Sequence, residues 1–142
     1  MQGETPTAFF SKTYDEATSL LIEARDYIAA EESLDRRELA PADRLRLALE
    51  TSRLTSRLTH VMAWLLARKA VFAGELTPAE AAEPPYVLER NEILAADEAA
   101  QHENLPETLS DLMVRSHRLY IRVSRLDELV RRGAFATPPI TH

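Results

Sequence analysis

The sequence predicts an all-α fold: an elongated antiparallel three-helix bundle with a short extra helix after the second long helix. Three observations predict it. Apolar residues recur at three- and four-residue steps along three long stretches. Prolines and glycines fall at the ends of those stretches, where they start or stop a helix, and not inside them. No run alternates apolar and polar residues between turn dipeptides, so no β signal competes.

The first helix is expected over 8–31. Phe10, Thr13, Ala17, Leu20, Leu21, Ala24, Tyr27 and Ile28 share one of its faces. Thr7 is its expected N-cap, with a hydroxyl placed to accept from a free backbone N–H of the first turn. Residues 32–40 (ESLDRRELA) read as a connector. Pro41 opens the second helix, 41–73, because the N–H it lacks has no partner at that position anyway. Leu47, Thr51, Leu54, Leu58, Val61 and Leu65 then alternate four- and three-residue steps, with Phe72 one heptad further. An average period of 3.5 is the seam of a left-handed bundle. The rod from 42 to 73 is about 48 Å long, which argues for an elongated shape. Gly74 stops it by taking the left-handed cap conformation.

Thr77-Pro78-Ala79-Glu80 is a capping box, with Thr as cap, Pro at the first helical position and Glu at the third. It opens a short helix over 78–83 that ends before Pro84–Pro85. Residues 84–104 read as a connector, with Tyr86, Val87, Leu88, Ile93 and Leu94 as its anchors. Pro106 occupies the first position of the third long helix, 106–132. Leu109, Leu112, Ser116, Leu119, Val123, Leu126 and Val130 repeat the seam spacing there. Arg131 and Arg132 sit at its negative end, Gly133 stops it, and 133–142 read as a flexible tail. A length of 142 residues suits one domain over 1–142.

Composition excludes several chemistries. With no cysteine there are no disulfides, thiolate nucleophiles or sulfur-ligated metals. Three scattered glycines leave no glycine-rich phosphate cradle. A net charge of -6 makes a poor general nucleic-acid binder, since phosphates are repelled on average. Residues 1–35 hold 8 acids and 2 bases, whereas 36–69 hold 8 bases and 3 acids. That asymmetry fits either complementary neighbouring helices or a basic surface for an acidic partner. The opening MQGETPTAFF lacks the features of a secretory leader, and no apolar run is long enough to span a membrane, so the cytoplasm is the expected compartment.

The polar side chains offer no catalytic set, cofactor site or metal site, and an enzyme is not expected. His60, His102, His117 and His142 show no helical metal spacing. The carboxylate pairs Asp15–Glu16, Glu31–Glu32 and Asp127–Glu128 are adjacent, so each pair diverges around its helix and reads as solvated acid. Hydroxyls such as Ser52, Thr55 and Ser116 read as back-bonded to the preceding turn. Trp64 reads as a core residue whose N–H needs a partner. The informative polar feature is arginine: Arg115, Arg118, Arg122 and Arg125 share a face of the third helix, and Arg46, Arg53 and Arg57 share one on the second. They form a solvated face, pair with acids of the first helix, or make a protein-docking face, with Leu119 and Tyr120 as apolar neighbours. Phe9, Phe10 and Tyr14 are the candidate contacts of a homodimer, since one bundle has little apolar surface with which to cover them.

Three stretches together are distinctive: FFSKTYDEATSLLIEARDYI (9–28), RLTSRLTHVMAWLLARKAVFAGEL (53–76) and LPETLSDLMVRSHRLYIRVSRLDEL (105–129). In order and spacing the chain resembles the RcdA family of alphaproteobacteria, the regulators of CtrA degradation. The resemblance implies a homodimeric three-helix bundle without catalytic residues or cofactor. It implies an adaptor that joins a ClpXP protease primed by a CpdR-like response regulator and recruits cargo transcription regulators, directly or through the further adaptor PopA. Two weak contacts, one to protease and one to cargo, would raise the local concentration of cargo. Two readings compete: a helical DNA-linked transcriptional regulator acting through a basic face, and a phosphotransfer module centred on His60.

Overall fold

Each long helix is bounded by residues that start it cheaply or cannot continue it. In the computed structural model, described for residues 6–84, 86–88 and 104–133 with side chains from Phe10 onward, five helices occur. They are α1 (Pro6–Ala30), α2 (Glu32–Arg37), α3 (Pro41–Phe72), α4 (Pro78–Ala81) and α5 (Glu107–Arg131). No strand occurs among the described residues. Pro41 is the first residue of α3. Beyond its end, Glu75 N–H donates to the Ala70 carbonyl at 2.8 Å and Gly74 N–H to that of Val71 at 3.1 Å. This double closure requires the left-handed backbone that Gly74 adopts at φ 76°. Gly133 ends α5 at φ 79°. The capping box of α4 is complete: Thr77 N–H donates to Glu80 Oε1 at 2.9 Å and Glu80 N–H to Thr77 Oγ1 at 3.1 Å.

The periodic positions are the buried ones. Leu47, Leu54, Leu58, Val61 and Leu65 of α3, Leu109, Leu112, Leu119 and Val123 of α5, and Phe10, Ala17, Leu20, Ala24 and Tyr27 of α1 form one buried core. Leu88 and Leu105, on either side of the undescribed segment, are also buried in it. Each apolar side chain taken fully out of water contributes about 1.5–3 kcal/mol, so the three seams together dominate the fold.

Helix directions follow from the contacts. Phe10, near the start of α1, lies 5.4 Å from Phe72 at the end of α3. Arg122 and Arg115 of α5 reach Glu16 and Glu23 of α1 in reverse order. So α1 is antiparallel to both neighbours. Arg57 meets Met113 and Ser116, and seven residues on Trp64 meets Asp127. So α3 and α5 run in the same direction. An all-antiparallel chain would alternate throughout. Here the long connection over residues 73–106 lets the chain return before α5 starts, which a short loop does not allow.

Several local expectations change. Residues 32–37, expected as connector, form α2. Glu32 and Arg36 pair one turn apart, and the Tyr27 hydroxyl donates to Asp35 at 2.9 Å, docking this short helix beside the end of α1. Glu32 is therefore buried rather than solvated. The first helix starts at Pro6, which puts Thr7 inside it; the Thr7 side chain lies outside the described residues. Pro106 is the cap of α5 and not its first residue, because its ψ of 143° is extended. The short helix stops at Ala81. Ile93, Leu94 and the tail from 134 lie outside the described residues. No described helix is long and apolar enough to cross a membrane.

Candidate protein-docking surface

The arginine face of α5 divides in two. Arg115 forks Glu23 of α1, Nη1 to Oε1 at 2.7 Å and Nη2 to Oε2 at 2.6 Å, and also donates to Asp111 at 3.0 Å. These hydrogen bonds hold the Glu23 carboxyl below its ordinary range and hold Arg115 more firmly protonated. Arg122 donates to Glu16 at 2.5 Å. Both pairs are well solvated, so each contributes only about 0–1 kcal/mol. Arg118 and Arg125, one heptad apart, are exposed and pair with no described residue. They are the part of the stripe open to a partner.

The arginines of α3 separate for a geometric reason. Arg57 meets Met113, and α5 begins at Glu107, roughly 9 Å earlier along its axis. The start of α3 at Pro41 lies roughly 24 Å before Arg57. The first third of α3, about 15 Å, therefore outruns α5. Arg46 lies on that uncovered part and is exposed. Arg53 is half-buried and donates to Glu50 at 2.6 Å. Arg57 is 1% exposed and donates to the Met113 carbonyl at 3.1 Å and to Ser116 Oγ at 2.8 Å. It is a strut between α3 and α5, not a docking residue. Tyr120 too, at 2% exposure, belongs to the core and not to a docking face.

Of the candidate dimer contacts, the Phe9 side chain lies outside the described residues. Phe10 is buried within its own bundle, packed against Trp64 at 5.6 Å and against Phe72, and is not available to a second copy. Tyr14 is half-buried, with the Lys69 ammonium 4.3 Å over its ring. The large exposed hydrophobics are elsewhere. Leu45 and Leu49 stand out at 64% and 58% on the part of α3 that extends beyond α5. They line an open groove with Arg46, Ser52, Arg53 and Ser56.

One polar cluster escaped the sequence reading. Asp127, expected as a solvated acid, is 4% exposed and accepts from Trp64 Nε1 at 3.0 Å and from Arg131 Nε at 2.8 Å. The missing partner of the Trp64 N–H was the available signal, together with the place of Asp127 beside the seam residue Leu126. The Arg68 guanidinium lies 5.7 Å over the Trp64 ring. Burial lowers its pKa, and the Asp127 charge opposes that shift. Among the histidines, His60 is half-buried with Nδ1 2.7 Å from the Ser56 carbonyl; His102 and His142 lie outside the described residues. The described residues hold no group of His, Asp and Glu suited to a metal ion.

Comparison with known proteins agrees with this architecture. A family described as "Protein of unknown function (DUF1465)" matches residues 2–140. The crystal structure of RcdA from Caulobacter crescentus CB15 is similar with a TM-score of 0.70 and 32% sequence identity, covering 93% of this chain and 97% of that chain. None of the curated proteins compared with the chain matches it. In sequence and in three-helix architecture alike, the chain belongs to the RcdA-like DUF1465 family.

Proposed function

We propose that this protein is a non-enzymatic adaptor in regulated proteolysis. The observation that supports the reading is the likeness to RcdA, 32% identical over 93% of the chain. The finer reading follows the same resemblance: delivery of cell-cycle transcription factors such as CtrA to ClpXP primed by a CpdR-like response regulator. A cytoplasmic setting goes with that role.

Arg118 and Arg125 form the partner face in this reading, because they are the arginines of the α5 stripe left exposed by the pairs to α1. An exposed guanidinium with no partner among the described residues keeps its planar fork available for a carboxylate on another protein. The homodimer uses Leu45 and Leu49, where α3 outruns α5, since Phe10 is already buried within its own bundle. Sedimentation of Leu45→Asp plus Leu49→Asp tests that contact: a monomer is expected, and an unchanged dimer would remove it.

The decisive experiment is reconstituted turnover of cargo by ClpXP with the response regulator, with and without this protein. Faster turnover is expected. No stimulation in the cognate system refutes the adaptor role. Stimulation that survives Arg118→Glu plus Arg125→Glu refutes the face while leaving the role.

A further inference from the structure

Near the ends of α3 and α5, beside α4, lies a cavity of about 190 Å³. Trp64, Arg68, Ala81, Val87, Asp127 and Arg131 are among its walls. Arg68 is 8% exposed, and its Nε makes no hydrogen bond. No described residue accepts a hydrogen bond from any of its nitrogens. Asp127 does not answer it: Oδ1 accepts from Trp64 and Oδ2 from Arg131. Among the described residues lining the cavity are two guanidinium groups and one carboxylate, and the more buried of the two arginines is Arg68. A guanidinium keeps its proton and presents five donors, so burying it without an acceptor is costly.

We propose that this cavity binds a peptide carboxylate, with Arg68 forking the carboxylate and Trp64, Ala81 and Val87 enclosing a small aliphatic group beside it. The volume is below the roughly 300–1,000 Å³ of drug-sized sites, which limits the ligand to a carboxylate and a small neighbour. Asp127, which lines the same cavity, favours a monoanion, because its carboxylate repels a dianion such as a phosphate monoester more strongly. The Trp64 face under the guanidinium holds its plane, so little freedom is lost on binding. This site goes beyond the adaptor reading and does not depend on it.

Trp64 is the single tryptophan of the chain, so its emission reports on the cavity directly. The full chain is titrated with three probes: N-acetyl-dialanine, the same dipeptide as its amide, and an N-acetylated, amidated tripeptide with Asp at its centre. A saturable change in emission is expected with a carboxylate probe and none with the dialanine amide. Binding by either carboxylate supports the site, and the tighter of the two names its source as chain end or side chain. Arg68→Gln is expected to weaken binding about tenfold or more, the loss of one charge-assisted contact, with unchanged far-ultraviolet dichroism. Arg25→Gln, on the exposed face of α1 and outside both the cavity and the α5 stripe, is expected to leave it unchanged. If Arg68→Gln does not fold, Arg68→Lys retains the charge without the fork and is expected to bind several-fold more weakly. Equal response to the amide, no saturation by millimolar carboxylate, or wild-type affinity in the folded Arg68 variant each overturns the proposal.

Discussion

Replacing Trp64 with Phe and Asp127 with Ala, singly and together, measures the hydrogen bond that ties the ends of α3 and α5. The indole N–H lies 3.0 Å from Asp127 Oδ1, with both residues buried at 2% and 4% exposure. A hydrogen bond to a charged acceptor contributes about 1.5–3 kcal/mol net. Trp64→Phe removes it and also leaves a gap beside Phe10, for an expected loss of about 2–4 kcal/mol. Asp127→Ala strands the indole N–H and releases Arg131, for a loss of about 2–4 kcal/mol. Because both variants delete the same bond, the double variant is expected to lose less than their sum by about 1.5–2 kcal/mol. Against a total stability of about 5–15 kcal/mol these are large fractions, within reach of urea unfolding. Far-ultraviolet dichroism is the suitable readout, since the tryptophan itself is altered, and all variants are compared at one protein concentration. A coupling below about 0.5 kcal/mol would show that this bond does not hold the helix ends together.

Three further outcomes follow from the geometry. Gly74→Ala is expected to cost about 1–2 kcal/mol in thermal unfolding: a Cβ there meets nothing within 4 Å, so the whole effect is the positive φ, and a neutral result would refute it. Burial first, and then the hydrogen bond to Asp35, push the Tyr27 hydroxyl well above its ordinary value of 10.0. Its stabilisation is complete below that value and is lost as pH rises beyond it, because the unfolded chain ionises first. Tyr27→Phe is expected to be less stable at neutral pH and to lack that share of the alkaline loss; parallel alkaline limbs for both proteins would sink the assignment. Glu23 is held below 4.5 by Arg115, so this pair stabilises above that pH and its contribution fades as pH falls through the lower folded value. Glu23→Gln is expected to flatten the acid limb by less than about 1 kcal/mol, given the exposure of the pair; identical acid titrations of stability would count against it.

The helices were legible because their signals are local. A 3.5-residue period, a glycine after the last turn and a capping box each act within a few residues of chain, so Leu54, Gly74 and Thr77 could be placed without knowing their neighbours. The six residues of α2 span too few turns to show a period, and their helix depends on Tyr27 reaching Asp35 from the preceding element.

The site was less legible for the same physical reason. Arg46 and Arg57 lie on nearly one face of α3, yet one is exposed and the other buried, because α5 covers that face only along part of its length. Asp127 looks like any acid beside Glu128 until α3 brings an indole N–H to it across 63 positions of chain. The amino-acid order alone determined which stretches coil and which of their faces are apolar, since backbone caps and side-chain spacing are short-range. Only the packed bundle decided that α3 and α5 share a direction, which arginines of α5 stay exposed, and where a buried guanidinium has no acceptor among the described residues, since each of these is settled by contact between segments far apart in the chain.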